Sequence, residues 1–169
     1  MTSPWSVRAE SPDDIAAVHA IHAAAFPTEE EADLVDALRA DPAWIPELSR
    51  VAVDADGRIV AHCLLTRCHI DDVPALCLAP VATAPEQQRT GAGSAAIESC
   101  LAEAAKLGER YVVVLGHHDY YPRFGFQRAA DHGVRISIDV PAEALMVLAL
   151  PDAGPIPAGL IHYAPPFGI

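Results

Sequence analysis

Apolar positions change their period along the chain, and each change marks an element. Trp5 to Ala9 reads as a short first strand. Ser11-Pro12-Asp13-Asp14 opens a helix, with Ser11 as N-cap and Pro12 at the first helical position. Ile15, Val18, His19 and His22 then recur at helical spacing until Phe26-Pro27. Thr28-x-x-Glu31 has the form of a capping box ahead of a second helix striped by Leu34, Val35 and Leu38, and Asp41-Pro42 stops it. The period then shortens. Val51-Ala52-Val53, a turn at Asp54-Ala55-Asp56-Gly57, and Ile59 to Leu65 predict a hairpin. After a second turn at Asp71-Asp72-Val73-Pro74, Ala75 to Thr83 is apolar on both faces, as a central buried strand would be. A helix is expected over Gly93 to Leu107, with Ile97, Leu101 and Leu107 in the core and Gly108 just past its end. Tyr111 to Leu115, Val134 to Val140 and Leu145 to Leu150 read as strands, and a Pro-rich tail from Pro151 adds a last extended piece near Tyr163. The expected fold is α+β: a mixed sheet flanked by helices.

Composition narrows this picture. The 169 residues suit a single domain (1–169), with its core over 5–150 and a Pro-rich extension over 151–169. At 51% hydrophobic and 20% charged the chain is too apolar for intrinsic disorder. A net charge of −12 argues against nucleic acid and favours a cationic small molecule such as a polyamine, an amino sugar or a peptide amine. No export signal and no membrane-length apolar run is expected from the sequence. Cys63, Cys68, Cys77 and Cys100 form no C-x-x-C pair, so they read as reduced, buried hydrophobes in a cytoplasmic protein without a metal site.

The stretch Val81 to Ser94, V-A-T-A-P-E-Q-Q-R-T-G-A-G-S, carries the chemistry. A buried strand runs into a turn whose Gly91 and Gly93 stand where the next helix begins. Unpaired N–H groups of a first helical turn, the positive end of the helix dipole and the Arg89 side chain make an anion cradle suited to a phosphate. It is not a Walker loop, because no lysine follows Gly93. Nor does it satisfy the dinucleotide fingerprint, whose third glycine is missing.

Gln88-Arg89-Thr90-Gly91-Ala92-Gly93 resembles the Q/R-x-x-G-x-G/A signature of the GNAT-type N-acetyltransferase superfamily. Tyr120-Tyr121-Pro122-Arg123-Phe124-Gly125-Phe126 is similar to that family's closing Y-x-x-x-G-F element, in the correct order along the chain. Met146-Val147-Leu148 through Tyr163 looks like a bacterial branch with the YY-x-RFGF variant. The resemblance implies a mostly antiparallel twisted sheet whose two central parallel strands, Ala75–Thr83 and Tyr111–Leu115, splay to admit acetyl-CoA. It implies that the main chain of Val81, Ala82 and Thr83 pairs with the pantetheine arm, and that Arg89, Thr90, Gly91, Ala92, Gly93 and Ser94 receive the pyrophosphate. It further implies acetyl transfer directly to a primary amine, an acceptor wall made by the first two helices and the loop Asp41 to Leu48, and a homodimer as a candidate assembly.

Acetyl transfer needs a neutral amine and a proton for the departing thiolate. Tyr121, four residues before Gly125, stands where the resemblance implies the general acid, with Tyr120 as the fallback. His117 is the candidate base, beside Glu29, Glu30, Glu31 or bulk water; the three glutamates otherwise read as favourable charge at a helix start. Gly116-His117-His118-Asp119 supplies no asparagine after the fifth strand, and Ala75–Thr83 carries no acid, both departures from many members. These departures motivate a competing reading, a catalytically silent acyl-CoA-binding or protein-interaction module. His62 and His69 are expected to face solvent in alternation along their strand, and Arg123 is expected in an exposed turn.

Overall fold

A computed structural model of the chain describes residues 5–169. Strand β1 (Ser6–Ala9) leads through a 3-10 turn into α1 (Ile15–Ala25), then α2 (Glu30–Arg39), β2 (Trp44–Val53), β3 (Ile59–Ile70) and β4 (Val73–Thr83). Helix α3 (Ala92–Lys106) joins β4 to β5 (Tyr111–Leu115), followed by β6 (Gln127–Arg128), β7 (Val134–Arg135), β8 (Leu145–Ala149) and β9 (Gly159–His162). The sheet runs β1-β2-β3-β4-β5-β8-β6, with β9 continuing along β3 beyond the end of β2. Pairings are antiparallel except β4–β5 and the two-residue β7–β9 contact. The mixed, mostly antiparallel α+β sheet expected from the sequence is therefore the fold. Among the described residues no helix is long and apolar enough to cross a membrane.

The sheet is covered on both faces. On one, Cys63, Leu65, Leu76 and Val112 pack with Ala96, Ile97, Cys100 and Ala104 of α3. On the other, Val51 and Leu64 pack with Val18 of α1 and with Val35 and Leu38 of α2. Ile97 is buried and Leu101 packs partly buried on the core, as expected; the rest of the buried line of α3 is Ala92, Ala96, Cys100 and Ala104, and Leu107 is exposed rather than core. Small side chains on that line let the helix lie close enough for the Cys100 thiol to donate to the Leu48 and Cys63 carbonyls. All four cysteines are buried and unpaired, as read from their apolar runs.

Three local expectations change. The segment Asp41–Leu48 is not a loop, since β2 begins at Trp44, opposite Thr66. The strand expected over Val134–Val140 pairs only at Val134–Arg135; beyond these its apolar alternation finds no partner strand, and Ile138 is exposed. The capping box at Thr28 does not form. Glu29 takes the N-cap position and Thr28 Oγ1 accepts the Glu30 amide, so Glu31 is not drawn back to cap the helix. The Ser11 start does hold, reinforced by Asp14, which accepts from the Ser11 amide and hydroxyl and pairs with Arg8 at 2.6 Å.

His62 is wholly buried, not solvent-facing, while His69 is half-buried. The His62 Nδ1 lies 2.8 Å from Nε2 of the equally buried His22, and its Nε2 lies 2.8 Å from Ser49 Oγ. A Glu10 carboxylate oxygen is 3.8 Å away, itself held by Arg39. Burial first, then the positive charge of His19 and Arg39, lowers the His22 pKa to about 4. Burial pushes His62 well below its usual value too, with His22 and Arg39 adding to the effect. Both rings are neutral in the folded protein, and hydrogen bonds tie α1 to the middle of the sheet.

Because these folded-state pKa values lie below that of unfolded histidine, the unfolded chain binds more protons once pH drops under about 6.5. Stability is therefore full above about pH 6.5 and declines toward pH 4, by at most about 1.4 kcal/mol per pH unit per histidine. Asp14, lowered to about 2 chiefly by its hydrogen bonds from Arg8, loses its contribution only in the separate window below the usual carboxylate value. Thermal melts should show Tm falling between pH 6.5 and 5 in the native protein and staying flat there in the double variant His22→Leu/His62→Leu. An equal decline in both would exclude the histidine pair as its source.

Candidate active site

The site opens where β4 and β5 part. Their parallel pairing is confined to Leu76 opposite Val112 and Cys77 opposite Val113. Past that point β3 holds β4 through Val81, Ala82 and Thr83, while β5 stays with β8 out to Leu115. A bulge sharpens the divergence: between the pairs Leu65–Leu78 and Cys63–Val81, β4 has two residues, Ala79 and Pro80, where β3 has one. Pro80 has no amide hydrogen to lose from the ladder, which suits it to that place.

The N-terminus of α3 fronts one side of the opening. Gly91 caps the helix at φ +97°, a left-handed conformation that favours glycine, and no side chain occupies the cap. A cleft of about 590 Å³ lies there, lined by Thr83, Arg89, Gly91, Ser94, Tyr120 and Arg123 among others. Tyr120 shares a hydrogen bond of 2.7 Å with Ser94 Oγ. Arg123 stacks its guanidinium 4.3 Å from the centre of the Tyr120 ring and donates from Nε to the Tyr120 carbonyl. Two guanidinium groups and a helix dipole end thus converge on one cleft of a protein whose net charge is −12. Arg123, exposed in its turn as expected, and Tyr120, the fallback acid, both line this cleft; only the fold brings positions 120–123 to the start of α3.

A second cavity, of about 480 Å³, takes the neighbouring residues of the same walls: Val81 beside Thr83, and Tyr121 beside Tyr120. Tyr121 begins a 3-10 turn, and its amide donates to the His117 carbonyl. Its ring packs edge-on to Tyr120 and Phe126 and lies against Gly116, where a Cβ would come 2.5 Å from a ring carbon. The hydroxyl finds no hydrogen-bond partner among the described residues, and burial pushes its pKa upward, so the phenol stays protonated at neutral pH. His117, exposed, lines the same cavity. Of the sequence-derived residues, Val81, Tyr121 and His117 come together here, while Thr83, Arg89, Thr90, Gly91, Gly93 and Ser94 meet in the cleft. Ala82 and Ala92 turn their side chains into the core, leaving only their main chain for any ligand.

The remaining wall differs from the expected one. Phe26, Glu31 and Leu34 supply part of it, and Tyr163, Phe167 and Ile169 from the tail supply the rest, whereas no residue of 41–48 lines it. The tail is anchored to the sheet. The Tyr111 hydroxyl donates to the Ala153 and Pro155 carbonyls, β9 pairs with β3, and Asp71 accepts the Leu160 amide.

Residues 15–126 match the model of the Acetyltransferase (GNAT) family. The chain belongs to the GNAT acetyltransferase family. It is 36% identical over 135 residues to the uncharacterized N-acetyltransferase YjhQ of Escherichia coli K12, covering 77% of this chain and 74% of that one. Its fold matches the crystal structure of the GNAT family N-acetyltransferase YhbS from Escherichia coli in complex with CoA, with TM-score 0.91 and 27% identity over 100% of this chain and 96% of that one. A GNAT family acetyltransferase from Brucella melitensis in complex with acetyl-CoA superposes with TM-score 0.80 and 29% identity, over 96% and 97% of the two chains.

Close approach at this GNAT helix start gives a test of its geometry. A Cβ at Gly93 would lie 2.7 Å from Thr83 Oγ1. Glycine to alanine inside an exposed helix stabilises by up to about 1 kcal/mol. Here Gly93→Ala should instead destabilise by about 1–3 kcal/mol through overpacking. Adding Thr83→Ala should reverse the sign, as a double-mutant cycle of urea unfolding would show; additive effects would contradict the contact.

Proposed function

We propose that the protein transfers the acetyl group of acetyl-CoA directly to a primary amine, with no covalent acyl-enzyme. The observation that carries the reading is the joining of two sites across one strand gap: an anion cleft with two arginines, and an apolar cavity holding a neutral phenol. The CoA and acetyl-CoA complexes of the two similar structures support the choice of donor.

The diphosphate lies on the main-chain amides of residues 89–94 at the start of α3, with Arg89 and Arg123 on its charge. The pantetheine arm extends along the unpaired edge of β4 at Val81, Ala82 and Thr83, much as a further strand would. The thioester then reaches the apolar cavity, where an amide near Val81 stabilises the developing oxyanion. His117 removes one proton from the ammonium acceptor, and the neutral amine attacks the thioester carbonyl. As the tetrahedral adduct collapses, the C–S bond breaks and Tyr121 gives its proton to sulfur. A phenol is a weaker acid than a thiol, so this transfer runs with the return of a proton to the tyrosine oxygen from the cationic amide nitrogen. The products are the acetamide and CoA thiol, and the proton taken by His117 passes to water.

Calorimetry should register CoA binding to the purified protein, and thiol release from acetyl-CoA should depend on added amine. Tyr121→Phe should lower kcat by about 100-fold or more with little change in CoA affinity. His117→Ala should lower the rate most at neutral pH and least at alkaline pH, where free amine is abundant. CoA binding without turnover on any amine would point instead to an acyl-CoA-binding module, and absence of CoA binding would refute both readings.

A further inference from the structure

We infer that the acceptor is a monocationic primary amine carried on an apolar body, with its ammonium group held by Glu31. The inference rests on the acetyl-transfer reading and adds the chemical class of the acceptor and the residue that selects it. Among the side chains lining the apolar cavity, Glu31 is the one with a carboxylate, and no lysine or arginine accompanies it. Its Oε2 is buried and has no hydrogen-bond partner among the described residues. A carboxylate with one oxygen closed off and unpaired is costly without a counter-charge, and an ammonium seated in the cavity against Glu31 would supply that charge with a charge-assisted hydrogen bond. The failed capping box is the local reason for this state, since Glu31 stands inside the first turn of α2 instead of reaching back to Thr28.

The rest of the wall selects the body that carries the ammonium. Phe26, Leu34, Tyr163, Phe167 and Ile169 offer apolar surface with one tyrosine hydroxyl. A polyamine would bring further ammonium groups with no carboxylate to meet them, and an amino sugar would bury hydroxyls against hydrocarbon. The charge of −12 favours cations in general, but the cavity wall rejects these two and accepts an alkyl or aralkyl amine. Glu31 and Tyr121 line one cavity together, so the bound amine is held in the space into which the thioester projects.

The test uses the full chain with acetyl-CoA and four amines: phenethylamine, hexylamine, spermidine and glucosamine. Both apolar amines should exceed the other two by about tenfold or more in kcat/KM. Glu31→Gln should raise KM for phenethylamine by about 10- to 100-fold, change kcat by less than about threefold and leave CoA affinity unaltered. Asp33→Asn, which removes a charge from the same helical turn without lining the cavity, should move none of these values. A preference for spermidine or glucosamine, or an unchanged KM in Glu31→Gln while Tyr121→Phe still lowers kcat as above, would overturn the inference and leave acetyl transfer standing. Phenethylamine binding to the protein–CoA complex, measured by calorimetry, reads the amine site without turnover. Binding that weakens in Glu31→Gln supports the site even if transfer fails, and absence of binding overturns it.

Discussion

Two strands that start as neighbours and then separate set everything else in this molecule. A parallel pair held for only two residues leaves main-chain groups on facing edges that the sheet does not satisfy. Such groups demand partners, and a ligand able to imitate a strand is the natural one. The separation persists because each strand is fastened on its far side: β4 to β3 through a bulge, β5 to β8 without interruption. It also decides where the helix between them begins. Helix α3 starts at the mouth of the gap, so its unpaired amides and two arginines gather charge at one end while Tyr121 and Tyr163 stand at the other.

The scaffold that keeps this gap open uses polar groups where hydrocarbon would have been simpler. His22, His62 and Ser49 form a dry chain of hydrogen bonds between a helix and the sheet, bordered by the ion pair of Glu10 with Arg39. Hydrogen bonds fix distance and direction in a way that methyl groups do not, so α1 is set at one height on the sheet. That height places Phe26, one turn beyond His22 and stacked parallel to it, at the wall of the second cavity.

Much of this was legible in the residues because it is local. Period and turn chemistry located β3, β4, β5 and α3, and the glycines with Arg89 marked the turn that borders the cleft at the start of α3. What escaped reading depends on which elements finally meet. His62 interrupts the apolar run Ile59 to Leu65, and nothing in its strand says that His22 on a distant helix will satisfy it. Glu31 looked like ordinary charge at a helix start, and its burial comes from the tail folding across α2. Val134–Val140 alternates as a strand should, yet a strand needs a partner, and pattern alone cannot supply one.

The family-model match ends at residue 126, whereas Tyr163, Phe167 and Ile169, which help enclose the second cavity, lie well past it. On the proposed reading, donor recognition lies within the matched span, whereas acceptor enclosure is completed by the tail. Drift in the tail could retune what the enzyme modifies while the grip on the nucleotide end stays intact, a division of labour that lets one catalytic frame diversify among many small molecules.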